Sequence, residues 1–374
     1  MNYRKTESIF INGIWLRDIL NNEKGIDLSG VDLNNVDLSG INLSNANLTG
    51  ANLSNANLSN ADLINANLNT VNLENANLSN ADLRSANLEN ANLSGADLSG
   101  ADLSKTNLSG TNLIYANLND TNLMYANLSN ADLRSADLAY ANLSGADFKN
   151  ANLNNANLEN ADLTCTDLKE ADLSYANLSG ADLSDIDLTD ANLGNACLFN
   201  VNLTGADLNC ANLSEVNLIE ANLSGANLSG VNLSNADLSE ASLNGTNLVN
   251  ANLKDVGYNH STSFFGLQCP EKGSFIGYKV ADRKVVELLI TEDAKRSSGT
   301  SRICRCSKAK VLSITSIDGS TNYEEAVSNH DSKFVYKVGE IVEVSNFDED
   351  RWKVRTTGIH FFITRDEAVQ YLYL

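Results

Sequence analysis

The sequence predicts an all-β solenoid with a square coil, closed by an N-terminal cap and followed by an α+β domain. Two observations lead to this fold class. One five-residue phrase, for example Ala-Asn-Leu-Thr-Gly at residues 46–50, recurs 46 times without insertion or deletion from Ile26 to Asp255. The phrase then stops, and 119 residues of mixed composition follow. An unbroken short period is typical of a solenoid, in which each repeat packs on its neighbours.

A period of five fits neither regular element. On an α-helix each Leu would rotate by about 140° from the last, and on a flat strand successive Leu would alternate faces. The chain must therefore turn once per unit, so that four units close a square coil of 20 residues. The middle position is Leu in 45 units and Phe148 in one, and the position two residues earlier is Ala in 32 units. These residues predict a narrow apolar interior, with Asn or Asp pointing outward and turn residues at the last two positions.

The tandem phrase Ala-(Asn/Asp)-Leu-Ser-(Gly/Asn) resembles the pentapeptide-repeat family over residues 26–255. The resemblance implies a right-handed quadrilateral β-helix. At the spacing of neighbouring strands, about 4.8 Å, the repeats would form about eleven and a half coils and a rod roughly 55 Å long. In such a ladder we expect the weakest coil at Phe148 or Cys197, where the phrase deviates.

The chain divides into a cap at residues 1–25, the β-helix at 26–255 and a C-terminal domain at 256–374. The cap contains apolar runs at 9–11 and 14–16, which suit a short strand and a helical turn over the first coil. An uncovered coil end would expose strand edges, so a cap is needed there. The first four units also carry larger inner residues than Ala, namely Ile26, Val31, Val36 and Ile41.

The C-terminal domain is predicted to be α+β. Alternating and β-branched segments indicate strands at 275–279, 285–290, 309–315, 333–336, 341–344 and 358–363. Thr364 followed by Glu367 forms a capping box, which predicts a final helix. Phrases at 294–298, 304–312 and 358–365 resemble an uncharacterised domain that accompanies pentapeptide repeats in proteins of large DNA viruses. This resemblance implies a viral origin and supplies no activity.

The negative charge of the chain lies on the repeat. Residues 26–255 carry 28 acids and 6 bases, whereas the remainder carries 19 acids and 20 bases. Along the expected rod this is roughly 0.4 negative charges per Å, against about 0.6 for duplex DNA. The family resemblance matters here because some pentapeptide-repeat proteins mimic DNA and bind type II topoisomerases. One side of the square places four acids in consecutive coils, Asp147, Asp167, Asp187 and Asp207.

Solubility is the alternative explanation for this charge. Asp and Asn interchange at the outward position throughout the repeat, with 17 Asp and 27 Asn. The topoisomerase-binding members of the family often have loops interrupting the coil and a small helical dimerisation module. This repeat has no loops, and its C-terminal region is far larger than that module. DNA mimicry is therefore the second interpretation and not the first.

Large apolar residues at outward positions are rare in the repeat. Phe199 and Ile219 occupy equivalent positions 20 residues apart, which predicts a stacked pair on adjacent coils. Contact with the C-terminal domain or with another copy would explain the pair. Tyr115, Tyr125 and Tyr140 fall on different corners, where isolated surface hydrophobic residues need no functional explanation.

A basic stretch in the C-terminal domain contains Lys295, Arg296, Arg302 and Arg305, followed by Lys308 and Lys310. Residues 297–301 are rich in Ser and Gly and indicate a flexible loop. Such a loop fits three situations: a solvated loop without a partner, docking on the acidic rod, or binding to nucleic acid. Direct nucleic-acid binding is disfavoured because the stretch lacks aromatic residues that stack on bases.

Polar residues suited to catalysis or metal binding are sparse. Cys304, Cys306, His330, His360 and the acidic run 348–350 would form a nucleophile pair only if the fold joined them. Cys269, Cys304, Cys306 and His360 are of the residue types that bind zinc. However, Cys-x-Cys lacks the usual two-residue spacing of structural zinc sites. Buried thiols and a structural His360 are the simpler interpretation. We therefore predict no enzyme activity, cofactor or metal.

No segment reaches 18 consecutive apolar residues, and the N-terminus lacks the apolar stretch of a signal peptide. We expect no membrane association and a cytoplasmic location, in the host cytoplasm if the chain is viral. The resulting prediction is a non-catalytic scaffold that acts by protein-protein contact, with an unknown protein partner. Members of the family often dimerise, so a homodimer is one assembly to test. A third interpretation makes the C-terminal domain a catalytic or ligand-binding unit, with the rod as spacer.

Overall fold

The computed structural model describes residues 10–11, 14–15, 26–259, 261–263, 269–270, 272–298, 303–329, 331, 333–349 and 356–371. The chain divides into two compact units. One unit holds the chain up to Ala241 together with Ala251–Ser261, and the other holds Ser242–Asn250 together with the chain from Thr262 onward.

Two short strands precede the repeat. Strand β1, Phe10–Ile11, pairs antiparallel with strand β2, Ile14–Trp15. The remainder of the predicted cap, including its helical turn, lies outside the described residues.

The repeat closes a coil every 20 residues, as predicted. The residue before each Leu forms a parallel bridge with the residue 20 positions later, from Asp27 with Asn47 to Asn232 with Asn252. The Leu28 amide donates to the Asn47 carbonyl at 2.7 Å, and the Asn47 amide donates to the Ile26 carbonyl at 2.8 Å. Each unit is therefore joined to the next coil by backbone hydrogen bonds, although no side of the square is long enough to form an extended strand.

Each corner is a tight turn with a left-handed residue. The amide of Ala46 donates to the Leu43 carbonyl at 3.0 Å, which closes a four-residue turn. The fifth residue has positive φ in all 46 units, and only 12 of these residues are Gly. A positive φ at the third turn position defines a type II turn, which favours Gly or Asn. This requirement explains the frequent Gly and Asn at the end of the phrase.

The interior consists of stacked, buried Leu and Ala side chains. Leu93 and Leu98 are completely buried, and Phe148 is buried equally well in place of Leu. Thr at the inner position hides its hydroxyl by local bonding: Thr106 Oγ1 donates to the Leu103 carbonyl at 2.5 Å. Since a buried hydroxyl without a partner costs free energy, this bond makes Thr acceptable where Ala is usual.

Backbone spacing is regular at both predicted weak points. The Phe148 amide lies 2.8 Å from the Asp167 carbonyl, and the Cys197 amide lies 2.9 Å from the Ala176 carbonyl. The ladder is loosest elsewhere, between residues 161–170 and 181–190. There the Asp182 amide lies 3.4 Å from the Ala161 carbonyl. Within this described stretch, four of the bonds found at equivalent positions are not formed: Leu168 N to Asp187 O, Asp187 N to Thr166 O, Cys165 N to Ser184 O, and Ile186 N to Leu183 O.

Side-chain volume explains the loose region. Thr166 and Ile186 occupy the same inner corner in successive coils. Beyond the first coils, every other β-branched inner residue from Val71 to Val231 has Ala above and below it. Two branched side chains in contact hold the coils apart, because a closely packed interior cannot absorb the extra volume. We call the region 161–170 with 181–190 the Thr166–Ile186 seam.

The C-terminal region is rich in strands, with one short helix among its described residues. The strands are β3 Phe275–Ala281, β4 Lys284–Ile290, β5 Arg296–Ser298, β6 Cys304–Cys306, β7 Lys308–Ser316, β8 Glu325–Val327, β9 Val335–Lys337, β10 Ile341–Glu343 and β11 Ile359–Phe361. Antiparallel sheets form in the orders β10-β7-β4-β3, β11-β6-β5 and β8-β9. Helix α1 spans Arg365–Gln370.

All six predicted strands overlap observed strands, and the capping box is confirmed. The Glu367 amide donates to Thr364 Oγ1, and the Thr364 amide donates to Glu367 Oε2. Strands β5, β6 and β8 were not predicted. For residues 297 and 298 the prediction of a flexible loop is wrong, because both belong to β5 and their side chains are buried.

One face of the four-stranded sheet forms the core of this region. Buried residues of β4 and β7 on that face pack with Cys304, Ile359 and Phe361. On β3, Gly277 admits the ring of Phe361, since a Cβ at Gly277 would lie 2.5 Å from a ring carbon. Residues alternate along a strand, so Lys279 points to the same face as Gly277 and Ala281.

Candidate functional site

The predicted acidic ladder is present on one side of the coil. Asp147, Asp167, Asp187 and Asp207 form successive parallel bridges. Each carboxylate accepts a bond from the amide two residues later, as in Lys149 N to Asp147 Oδ1 at 2.9 Å. These local bonds hold the carboxylates in similar outward orientations, and the second oxygen of each faces away from its own turn.

Two lysines lie beside the ladder, at positions 149 and 169. Lys169 Nζ lies 2.7 Å from Asp187 Oδ2. This hydrogen bond and the charge of Asp187 raise the pKa of Lys169. Partial burial acts to raise the pKa of Asp187, but the bonds from Lys169 and Thr189 outweigh it and the pKa is lowered. The ladder is therefore partly neutralised within the rod, which the count of aspartates did not reveal.

A second acidic ladder was missed in the sequence. Asp62, Asp82 and Asp102 occupy successive coils on another side. Arg84 binds Asp82 with both ends of its guanidinium, Nε to Oδ1 at 2.8 Å and an Nη to Oδ2 at 2.7 Å. The same step of 20 residues would have identified it. Arg84 carries most of the local positive charge, so this ladder too is partly balanced.

Outward Asn residues form hydrogen-bonded ladders with a direction. The side-chain amide of Asn47 donates to Asp27 Oδ1 at 3.0 Å, and that of Asn92 donates to Asn72 Oδ1 at 3.0 Å. Where the donor is an Asn directly before Leu, it always belongs to the later coil. Asp accepts such a bond and cannot donate one, so Asp begins a ladder or interrupts it. Exchanging Asn for Asp therefore removes a hydrogen bond between coils as well as adding a charge.

The predicted Phe199 and Ile219 pair lies on adjacent coils. The Asn200 amide donates to the Ile219 carbonyl at 2.9 Å, which fixes their relative register. Phe199 is exposed, and Ile219 is half-buried.

Four tyrosines provide the larger apolar surface of the rod. The exposed fractions are 71% for Tyr115, 61% for Tyr125, 56% for Tyr140 and 58% for Tyr175. All four occupy the left-handed corner position, with φ between 58° and 61°. Left-handed backbone costs a bulky residue about 1 to 2 kcal/mol relative to Gly. The ring of Tyr125 lies where a Cβ of Gly145 would be, so the next coil supports its orientation.

The basic stretch of the C-terminal domain is largely occupied by internal bonds. Arg296 donates to the carbonyls of Pro270, Gly273 and Thr291. Lys308 pairs with Asp293 at 2.5 Å, and Lys295 pairs with Glu349. Because these groups bond within the domain, the described residues do not present an open basic patch. Arg302 lies outside the described residues.

Arg305 is buried, which corrects its prediction as an interaction residue. Only 1% of its surface is exposed. One Nη donates to the carbonyls of Asp348 at 3.0 Å and Thr357 at 3.1 Å. The guanidinium also lies over the ring of Phe347. Arg305 thus joins two loops to β6, and its function in the described fold is structural.

The cysteines of the domain are buried and protonated. Cys304 and Cys306 are fully buried on β6, as the thiol interpretation predicts. A hydrogen bond with Cys269 and then burial raise the pKa of Cys304. Burial raises the pKa of Cys306 to about 12. Among the described residues no His, Cys, Asp and Glu side chains converge on a metal site. His330 and Asp350 lie outside these residues.

A cavity of about 540 Å³ opens on the C-terminal domain and was not predicted. Its lining includes Lys279, Phe334, Tyr336, Thr357 and His360. Lys279 is half-buried, and burial lowers its pKa to about 8. The signal in the sequence was a Lys in phase with Gly277 and Ala281 on a strand whose other inward residues are small or apolar.

Comparisons with known proteins identify both parts of the chain. A family model described as pentapeptide repeats matches overlapping segments that together span residues 26–255. A second model, a family of unknown function (DUF5758), matches residues 265–368. No curated protein matches the chain. Within the described residues, no helix is long and apolar enough to cross a membrane.

Solved structures of pentapeptide-repeat proteins are also similar. HetL, involved in heterocyst differentiation regulation in the cyanobacterium Nostoc, is 31% identical, with 67% of this chain and 94% of HetL covered and a TM-score of 0.27. Full-length QnrB1, a plasmid-mediated fluoroquinolone resistance protein, is 18% identical, with 60% and 92% covered and a TM-score of 0.22. Since the repeat model covers more than half of the sequence, the chain belongs to the pentapeptide-repeat family, whose repeats form a right-handed quadrilateral β-helix.

Proposed function

We propose that this protein is a non-catalytic scaffold whose rod binds a protein partner. The observation that carries the proposal is the exposure of tyrosines at left-handed corners: Tyr115 and Tyr175 share one corner three coils apart, and Tyr140 and Tyr125 lie on the next two corners, so a partner would contact more than one side of the coil. Tyr is enriched at the centres of protein interfaces, where a large ring contributes binding energy at a low cost in conformational entropy. Each ring here stands on a backbone that is held in place by the coil ladder. A preformed surface reduces the entropy lost on binding.

Substitution at the corners tests this proposal. Tyr115, Tyr125, Tyr140 and Tyr175 are replaced together by Asn, which suits the left-handed position. We expect the variant to fold and to lose the protein captured by the full chain from the native lysate. The matched control replaces Thr70, Ser85 and Ser135 by Asn, at the same turn position without an aromatic ring. Equal capture by the tyrosine variant and the control would contradict binding through these rings.

DNA mimicry is the second candidate function, and the two acidic ladders favour it. A DNA-binding protein such as a topoisomerase would contact the row from Asp147 to Asp207. Replacing these four Asp by Asn should preserve the turn bonds while removing four charges. Loss of a DNA-binding partner in this variant, together with steep salt dependence, would support mimicry. Retained capture would remove the ladder as the recognition element.

Assembly and location remain predictions of the scaffold proposal. A homodimer would elute from gel filtration at twice the mass of the chain. A cytoplasmic location, in a host cell if the chain is viral, is expected on the same basis and is checked by imaging a tagged chain. The further interpretation, a ligand-binding C-terminal domain with the rod as spacer, is supported by a particular cavity.

A further inference from the structure

Lys279 is a cation on the inner face of a sheet. Its neighbours on β3, Gly277 and Ala281, are buried, and its partner across the sheet is Val286 on β4. No hydrogen bond or ion pair joins the Lys279 ammonium to another residue in the part of the chain that the structure describes. An ammonium in such surroundings loses hydration without gaining a partner, and this arrangement is costly.

The buried groups around Lys279 do not supply a negative charge near neutral pH. Cys306 of β6 and Tyr336 of β9 are buried, and burial raises the pKa of both groups, that of the thiol to about 12. Both are therefore neutral at pH 8. Glu343 at the end of β10 and Asp331 before β9 also line the cavity, but their side chains are exposed and make no ion pair with Lys279. His360 of β11 completes the titratable lining.

The cavity has both a polar wall and an apolar wall. Its volume of about 540 Å³ falls within the range of small-molecule sites, roughly 300 to 1,000 Å³. Phe334 and Tyr336 form the apolar side and pack edge to face, with ring centroids 5.3 Å apart. Ser345 and Thr357 lie on the polar side with Lys279. An organic body would meet the rings while a charged end reached the ammonium.

The walls are held by structural bonds, so the cavity is preformed. Arg305 binds the carbonyls of Asp348 and Thr357, and Thr357 Oγ1 donates to the Asn346 carbonyl at 2.5 Å. Gly358 has a φ of 152°, and a Cβ there would lie 3.2 Å from the Phe347 ring. The same buried arginine that was predicted to bind a partner thus shapes this wall.

We propose that the cavity binds a small organic anion whose single carboxylate or phosphate group pairs with the Lys279 ammonium. The ligand provides a countercharge at the ammonium, with which neither Asp331 nor Glu343 forms an ion pair, and its apolar body covers Phe334 and Tyr336. Binding requires the protonated amine, and Lys279 titrates near pH 8. Affinity should therefore fall about tenfold for each pH unit above that value. The proposal is independent of the scaffold function, since it uses no residue of the rod.

The test uses the full chain and two probes, phenyl phosphate and benzoate, which separate the two anion chemistries. Lysines are methylated with ¹³C, and the Lys279 resonance is identified by its loss in Lys279→Met. Each probe is added at about 10 mM, enough to occupy a site of millimolar affinity. Sodium chloride at equal ionic strength controls for screening. Lys310→Met, on an exposed lysine of β7, is the matched control.

One probe is expected to raise the pKa of Lys279 and to bind wild type and Lys310→Met equally. Binding should be lost in Lys279→Met, which keeps the length and apolar stem of the side chain. Lys279→Arg should retain binding and lose the decline above pH 8. The proposal is overturned if neither probe changes the Lys279 titration, or if Lys279→Met binds as wild type does. Rod-dependent partner capture is measured on the same variants, and its loss or retention reports on the scaffold function alone.

Discussion

The rod and the C-terminal domain treat charge in opposite ways. In the described part of the rod, every ionisable side chain lies outside the Leu and Ala interior, and hydroxyls that enter it bond to a nearby carbonyl. The C-terminal domain instead buries Arg305 and half-buries Lys279. Arg305 has oxygen partners, whereas Lys279 has none among the described residues. The difference shows that a repeating interior has no place for a buried charge, while an irregular core can hold one.

The largest effect is expected from removing the buried charge that has partners. Arg305→Met removes two hydrogen bonds from a charged donor to partly buried carbonyls, at about 1.5 to 3 kcal/mol each. We expect the C-terminal unit to unfold at lower urea concentration while the rod is unchanged. Hydrogen exchange of peptides from each unit measures this, because one global transition would not separate them. Lys310→Met should match wild type, and unaltered exchange in residues 303–349 of Arg305→Met would contradict the structural function.

Removing the Lys279 charge, which has no partner among the described residues, should increase the free energy of unfolding and not decrease it. Burial lowers the pKa of Lys279 from 10.5 to about 8, so the folded state holds its proton less tightly. Lys279→Met should stabilise the domain at pH 7, by at most about 3 kcal/mol, because Lys279 retains some solvent contact. The gain should shrink between pH 8 and 10.5, where the folded lysine is already neutral and the unfolded one loses its proton. Urea unfolding of both proteins across this range measures it, and a gain that grows with pH would contradict the assignment.

A smaller effect separates backbone strain from packing at the corners of the rod. Gly225→Ala places Ala at a φ of 72° with no atom closer than 3.9 Å, and we expect a cost of about 1 kcal/mol. Gly145→Ala adds a contact with the Tyr125 ring at 2.5 Å and should cost about 1 kcal/mol more. Thermal unfolding monitored by circular dichroism gives the difference. Equal costs would mean that the Tyr125 ring moves freely and is not supported by the next coil.

The smallest effect concerns the Thr166–Ile186 seam. The amides of Leu168 and Asp187 lack the bonds that Leu173 and Asn192 form with their neighbours at 2.7 Å and 3.0 Å. The net value of one such bond is about 1 kcal/mol, so exchange should be roughly fivefold faster at the seam. Ile186→Ala should slow exchange at both amides by letting the coils approach. Uniform protection along the rod would show that the seam closes in solution.

Prediction from the sequence succeeded in the repeat, where each residue lies beside the equivalent position of the next coil. The step of 20 residues places Phe199 beside Ile219 and aligns the four ladder aspartates without further information. The same step does not predict that Lys169 reaches Asp187, since side-chain direction decides that contact. In the C-terminal domain, alternation predicted the longer strands. Strands β5 and β6 span three residues each and contain Arg, so neither length nor apolar pattern distinguished them from a loop.

The burial of individual charges depends on distant residues. Arg305 is buried by segments near 348 and 357, which its own strand does not indicate. The sequence shows that Lys279 shares a strand face with Gly277 and Ala281. It does not show that this face borders a cavity, because that depends on the packing of Phe361 and Tyr336. Both functional conclusions about this domain therefore required the tertiary structure.

Because four equal units make one coil, the number of units determines which side of the rod each later residue occupies. Loss or gain of 20 residues would change its length and leave every downstream residue on its original side. Loss of a single unit would turn everything downstream by a quarter of a revolution relative to everything upstream. Asp147 through Asp207 would then change direction relative to Tyr125, whose corner borders their side in the intact coil, although no contact within a coil had changed. The number of units between Tyr125 and Asp147 therefore determines the angle between the tyrosine and the row of aspartates. A five-residue deletion between them would reveal whether a partner contacts both.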